Sequence, residues 1–137
     1  MKLTFQAKYV ECADAIEGDL LQVTFDTIPP DRDEEGRESP YLLISRLFEF
    51  PGTATIEWHD GRDYDGGAEI LSVALSRSRL SIRLDQGLEI DVAFSVSDAK
   101  YTELISFLKP MVDDRLVACE QIPEPAGRAN RRPPSRF

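Results

Sequence analysis

The chain is 137 residues long, 42 % of them hydrophobic and 30 % charged, with a formal net charge of −9. That length suits a single domain and that apolar share an ordinary core, which excludes wholesale disorder. The longest unbroken apolar run, Tyr41-Leu42-Leu43-Ile44, is far too short to span a bilayer, and Thr4, Gln6 and Lys8 interrupt any signal-peptide stretch, so a soluble cytoplasmic protein is the expectation.

In chain order, Leu3, Phe5, Ala7 and Tyr9 alternate with Thr4, Gln6 and Lys8, which predicts one half-buried strand. Leu21, Val23 and Phe25 repeat that period after the turn-like Glu17-Gly18-Asp19. Residues 28–40 carry five acids, two arginines and three prolines, the composition of a long loop. From Tyr41 to Phe50 both parities are apolar except at Ser45, Arg46 and Glu49, as in a central strand covered on both faces. Ala54, Ile56 and Trp58 then face a core, leaving Thr55, Glu57 and His59 on the opposite polar face.

Residues 71–84 predict a hairpin turning at Arg77-Ser78, with Leu75 opposite Leu80, Val73 opposite Ile82 and Leu71 opposite Leu84. Directly opposed residues share a face, so six aliphatic side chains form one patch, with Ser72, Arg83, Ser76 and Arg79 outside it. A third strand, with Leu88, Ile90, Val92 and Phe94 in alternation, follows a short loop around Gly87 and sets Ile90 against Leu84 and Val92 against Ile82. Asp98 is a good N-cap for a helix carrying Tyr101, Leu104, Ile105 and Leu108, and Pro110 marks its end. These elements predict an α+β fold, mostly antiparallel β: a meander sheet of about six or seven strands with one C-terminal helix packed on it. The domain covers residues 1–122, and a Pro/Arg-rich tail covers 123–137.

Charge is uneven along the chain. Residues 123–137 hold four arginines against one glutamate, a net of +3, which leaves −12 for the remainder of a chain whose total is −9. So acidic a body repels nucleic acid, and the tail has only Phe137 as an aromatic, so no nucleic-acid partner is expected. Cys12 and Cys119 cannot build a disulfide framework and read as free buried thiols. The single histidine, His59, sits beside Glu57 and Asp60 without a nucleophile signature, so catalysis is not expected. Asp60-Gly61-Arg62-Asp63-Tyr64-Asp65-Gly66-Gly67 resembles half of a calcium loop, but in that frame the first ligand position falls on Gly61 and the last on Ser72. One histidine and two distant cysteines do not make a zinc site, and Gly66-Gly67 lacks the lysine and helix of a phosphate loop. Neither metal nor cofactor is expected. Surface recognition remains, because carboxylates set where phosphates would sit can block a nucleic-acid-cutting enzyme without any chemistry of their own.

Tyr41-Leu42-Leu43-Ile44-Ser45-Arg46, then Ile56-Glu57-Trp58, Asp60 and the Gly66-Gly67 loop, resembles the immunity protein 10 family of bacterial polymorphic toxin systems. The run from Ile70 to Leu80, the strand to Phe94 and the helix from Asp98 to Leu108 are similar to that family too, so the resemblance covers roughly residues 41–110. It implies a mostly β, cytoplasmic, non-enzymatic protein that binds and neutralises a cognate toxin, a nuclease among the candidates. The expected partner contacts are Glu57, His59, Asp60, Asp63 and Asp65, followed by Asp31, Asp33, Glu34 and Glu35 in the long loop. The rival expectations are a small ligand- or calcium-binding domain using Asp60–Asp65 and an accessory module of an enzyme.

Overall fold

In the computed structural model, which describes residues 2–29, 39–49 and 52–118, the alternating segments pair into two sheets around a shared core. The strands are β1 (Lys2–Gln6), β2 (Tyr9–Ala15), β3 (Leu20–Asp26), β4 (Tyr41–Leu47), β5 (Thr55–His59), β6 (Tyr64–Gly66), β7 (Ile70–Leu75), β8 (Arg79–Leu84), β9 (Glu89–Ala93) and β10 (Leu116–Ala118). The helix α1 (Asp98–Val112) lies between β9 and β10 in the chain. Sheet A has the order β1-β9-β8-β7-β10, and sheet B the order β2-β3-β4-β5-β6. The mostly-β α+β class holds, with ten strands in two sheets among the described residues in place of one meander of six or seven. Sheet A is mixed, because β1 joins β9 and β10 joins β7 in parallel, and neither pairing is local in sequence.

The first expected strand is two strands. Ala7 N donates to Ala93 O of sheet A at 2.8 Å, and the next amide, Lys8 N, donates to Asp26 O of sheet B at 2.8 Å. The chain therefore changes sheets between adjacent residues, and core-facing parity changes with it, from Leu3 and Ala7 to Val10. Tyr9, which continued the odd-numbered alternation, falls on the outward side.

The β7–β8 hairpin keeps Leu75 opposite Leu80 and Val73 opposite Ile82, but Ile70 replaces Leu71 opposite Leu84. Ile70 and Leu71 are adjacent and cannot both point inward; a register shift between Ile70 and Ser72 leaves Leu71 47 % exposed. Its turn needs no Asn or Gly, since Ser76 Oγ accepts from Ser78 N at 3.2 Å while Ser76 N donates to Arg79 O at 2.9 Å. That role buries Ser76, contrary to its expected outward position. The β8–β9 register is two residues from expectation, with Ile82 opposite Ile90 and Leu80 opposite Val92. Gln86 and Gly87, both at positive φ, widen that loop, and the even shift leaves every side chain on its expected face.

Helix α1 starts one residue after its cap: Ser97, not Asp98, is the N-cap, its Oγ accepting from Lys100 N at 3.1 Å. It also runs through Pro110 to Val112, because Met111 and Val112 are fully buried and Arg46 of β4 donates to the carbonyls of Pro110 and Met111 at 3.2 and 3.1 Å. Tyr101, Leu104 and Leu108 are buried, and the helix touches β2 and β3 of sheet B and β7 and β10 of sheet A. Phe25 of β3 and Phe94 after β9 meet at 5.3 Å between ring centroids, joining the two sheets through one core. Cys12 is half-buried, whereas Cys119 and the tail at 123–137 lie outside the described residues. Among the described residues, no helix is long and apolar enough to cross a membrane.

Candidate functional site

The register of sheet B decides which side chains share its outward face. With Val23, Phe25, Leu42, Ile44, Ile56 and Trp58 turned to the core, the opposite parity faces out. One outward row runs Tyr9, Asp26, Tyr41, His59 and Tyr64 across all five strands. The adjacent row runs Glu11, Thr24, Leu43, Glu57 and Gly66. Glu57 and His59 thus stand where the alternation puts them, side by side on β5.

Their positions are held by neighbouring groups. Tyr41 Oη donates to Glu57 Oε2 at 3.0 Å, and the Tyr41 ring stacks with His59 at 6.1 Å between centroids and 26° between planes. His59 Nδ1 accepts from Gly61 N at 3.0 Å, so that nitrogen supplies the lone pair and Nε2 is left toward solvent. Linked in this way, Glu57, Tyr41 and His59 form an ordered outward surface.

The β5–β6 turn is built on Asp60, whose Oδ1 accepts from Arg62 N and from Asp63 N, each at 2.8 Å. Hydrogen bonds from the Asp63 and Arg62 amides hold the Asp60 carboxyl below its ordinary range. This oxygen closes its own loop, an Asx turn, which accounts for the acid-and-glycine composition that resembles half of a calcium loop. Among the described residues, no group of three or more His, Cys, Asp or Glu side chains is arranged to hold a metal ion.

Not every expected contact shares a face. Asp65 pairs with Trp58 and so lies on the other parity from Glu57 and His59, exposed on the edge strand, with its Oδ1 accepting from Gly66 N at 2.8 Å. Asp63 is exposed in the turn. The five residues therefore occupy one hairpin and two of its aspects. Asp31, Asp33, Glu34 and Glu35 lie outside the described residues. The described ends of their loop are tied together, Thr27 Oγ1 donating to Pro40 O at 2.8 Å beside the Asp26–Tyr41 pair, at the end of sheet B where β5 reaches His59.

The tyrosines are what sequence reasoning missed. By alternation alone Tyr9 belongs to a core-facing stripe and Tyr41 to an apolar run, and Tyr64, 61 % exposed, falls within an acidic loop. Only the pairing of five strands gathers them in one row. At the β2 edge of this face, where the chain changes sheets, a cleft of about 310 Å³ is lined among others by Lys8, Glu11, Ser97 and Lys100. Within it Lys100 Nζ is bonded to Glu103 Oε1 at 2.8 Å. No known family model matches the chain, and no curated protein matches it either.

Proposed function

We propose that this chain is a non-enzymatic immunity protein that acts in the cytoplasm and neutralises a cognate bacterial toxin by direct contact through the outward face and the β5–β6 end of sheet B. The observation that supports this reading most is the ordered set Glu57–Tyr41–His59 beside the exposed Tyr64, an outward surface of one carboxylate, one imidazole and two tyrosines. Tyrosine supplies large contact area at small entropic cost, and carboxylates steer a basic partner to it. The resemblance of residues 41–110 to the immunity protein 10 family supports the toxin as that partner.

The test begins with the neighbouring gene, which on this reading encodes a toxin domain, and uses that domain. Co-expression of this chain restores growth to cells making that domain, and calorimetry gives a stoichiometric complex. Reversing charge at Asp60, Asp63 and Asp65 together slows association and flattens its dependence on salt. Binding left unchanged by the triple reversal moves the interface away from this hairpin, and a toxin domain that is neither bound nor neutralised removes the reading altogether.

A further inference from the structure

The two outward faces differ in charge: sheet A's is mixed, and sheet B's strand positions carry acids without cations. On sheet B the outward strand positions carry Glu11, which borders the cleft holding Lys100, and Glu57, with no lysine or arginine; Asp26 in the same rows is buried, its Oδ1 accepting from Thr27 N and Ile28 N. On sheet A the corresponding positions include Lys2, Arg79 and Arg83 against Glu89 and Asp91, and Lys2 pairs with Asp91 at 3.0 Å. A face with acids and no cation at its strand positions attracts a basic partner, which the mixed face of sheet A does not. Glu11 and Glu57 fall in one register row, three strands apart, which sets their strand positions about 14 Å from each other at the usual interstrand spacing. Beside that row, Tyr64, opposite His59 in the β5–β6 register, is exposed on the edge strand of the sheet.

Resting on the reading of a partner-binding protein, we propose that this face docks an arginine-bearing surface of the partner protein, with Tyr64 beside His59 as the shelf on which a guanidinium stacks and Glu57 and Glu11 as the carboxylates that take its charges. Arginine suits the site better than lysine. Its planar group stacks on an aromatic ring and offers several fixed donors to a carboxylate at once, while an ammonium is a compact, strongly hydrated point charge.

The probe is a synthetic peptide with arginine at every fourth position, which when extended spaces its charges by about 13 Å. It is titrated into the full chain by calorimetry alongside its lysine counterpart. The expected result is tighter binding of the arginine peptide, a loss of about tenfold in the Glu11→Gln, Glu57→Gln double variant, and no loss in Glu89→Gln, which removes a charge from the other face. Tyr64→Ala is expected to abolish most of the preference for arginine over lysine. Equal binding of the two peptides, or a loss in Glu89→Gln as large as in the double variant, overturns the proposal. A variant with Arg128, Arg131, Arg132 and Arg136 changed to glutamine decides about a competing occupant. Peptide binding about tenfold tighter in that variant would assign the face to the chain's own tail and overturn the partner assignment; unchanged binding upholds it. A chain that fails to take the peptide but still captures the toxin domain loses only this assignment, whereas one that takes the peptide and ignores the toxin domain loses the immunity reading instead.

Discussion

Cys12 stands on β2 near Glu103 and Lys100 of the helix, and burial, followed by the charge of Glu103, pushes its thiol from an ordinary 9.0 up to about 11. Between pH 7 and 8 it therefore remains protonated, and the thiolate is the reactive form. In a Cys119→Ser background, iodoacetamide at pH 8 should modify Cys12 about a hundredfold more slowly than the same cysteine in the unfolded chain. The folded state favours the neutral thiol, so its contribution to stability is complete below pH 9 and is lost as pH rises toward 11. Urea midpoints that fall over this window in the protein and not in Cys12→Ala would report it; equal slopes in the two would refute it. A second residue acts across greater sequence distance. Arg46 Nη1 reaches Pro110 O, Met111 O and, at 3.4 Å, Asp113 Oδ2, while its guanidinium lies 4.6 Å over the Phe48 ring. The last carbonyls of a helix have no partner within the helix, so a donor held against them substitutes for the missing turn. Arg46→Leu should lower the unfolding free energy by about 1–3 kcal/mol in urea titrations, with Arg46→Lys recovering part of it. A neutral Arg46→Leu would mean that burial of Met111 and Val112 alone carries the helix past its proline.

At the scale of elements, the β5–β6 hairpin depends on how closely its two strands approach. A Cβ added at Gly66 would come within 2.9 Å of Ile56 O and 3.1 Å of Glu57 Cβ, and a backbone carbonyl in the middle of a sheet cannot withdraw as a flexible side chain can. Gly66→Ala should therefore cost about 1–2 kcal/mol of stability and shift the amide resonances of Tyr64 and His59. Resonances left in place would show that the edge strand relaxes at no cost. Such hairpins were largely readable in the sequence, because alternation reports which side of a strand is apolar: Ile56 with Trp58, and Val73 with Leu75, face the core as their spacing requires. Side-chain parity also survives errors of register by two, as in the β8–β9 pair. Long-range pairing was not readable. Nothing local in Leu3 to Gln6 says that it lies parallel to Glu89 to Ala93, or that Leu116 to Ala118 lies parallel to Val73 to Leu75. The candidate site divides in the same way. Glu57 and His59 followed from period-two alternation in one strand, while the row Tyr9, Tyr41 and Tyr64 required the order of five strands.

On the scale of the whole molecule, two sheets of five strands must either fold as one unit or melt separately, and the packing selects the first. The sheets are joined covalently where Ala7 bonds to one and Lys8 to the other, and α1 covers strands of both. Phe25 and Phe94 complete the connection, their rings in tilted contact at 5.3 Å within a single buried cluster. Trp58, the chain's one tryptophan, is buried in β5 of sheet B and reports on that sheet, whereas Phe94 follows β9 of sheet A. Phe94→Leu removes part of the contact with little change of hydrophobic character and should lower stability by about 1–2 kcal/mol. If the core is common to both sheets, the urea midpoint seen by Trp58 fluorescence moves with the midpoint seen by far-ultraviolet circular dichroism, and by the same amount. A Trp58 midpoint that stays in place while the dichroism transition moves or splits would identify two independently folding sheets. The outward face of sheet B could then remain intact on its own, and damage to sheet A would not propagate to it. Under a shared core the opposite holds: any substitution that loosens Phe94, Leu104 or Ile90 reduces the population of the ordered Glu57–Tyr41–His59 surface by as much as it reduces the folded state.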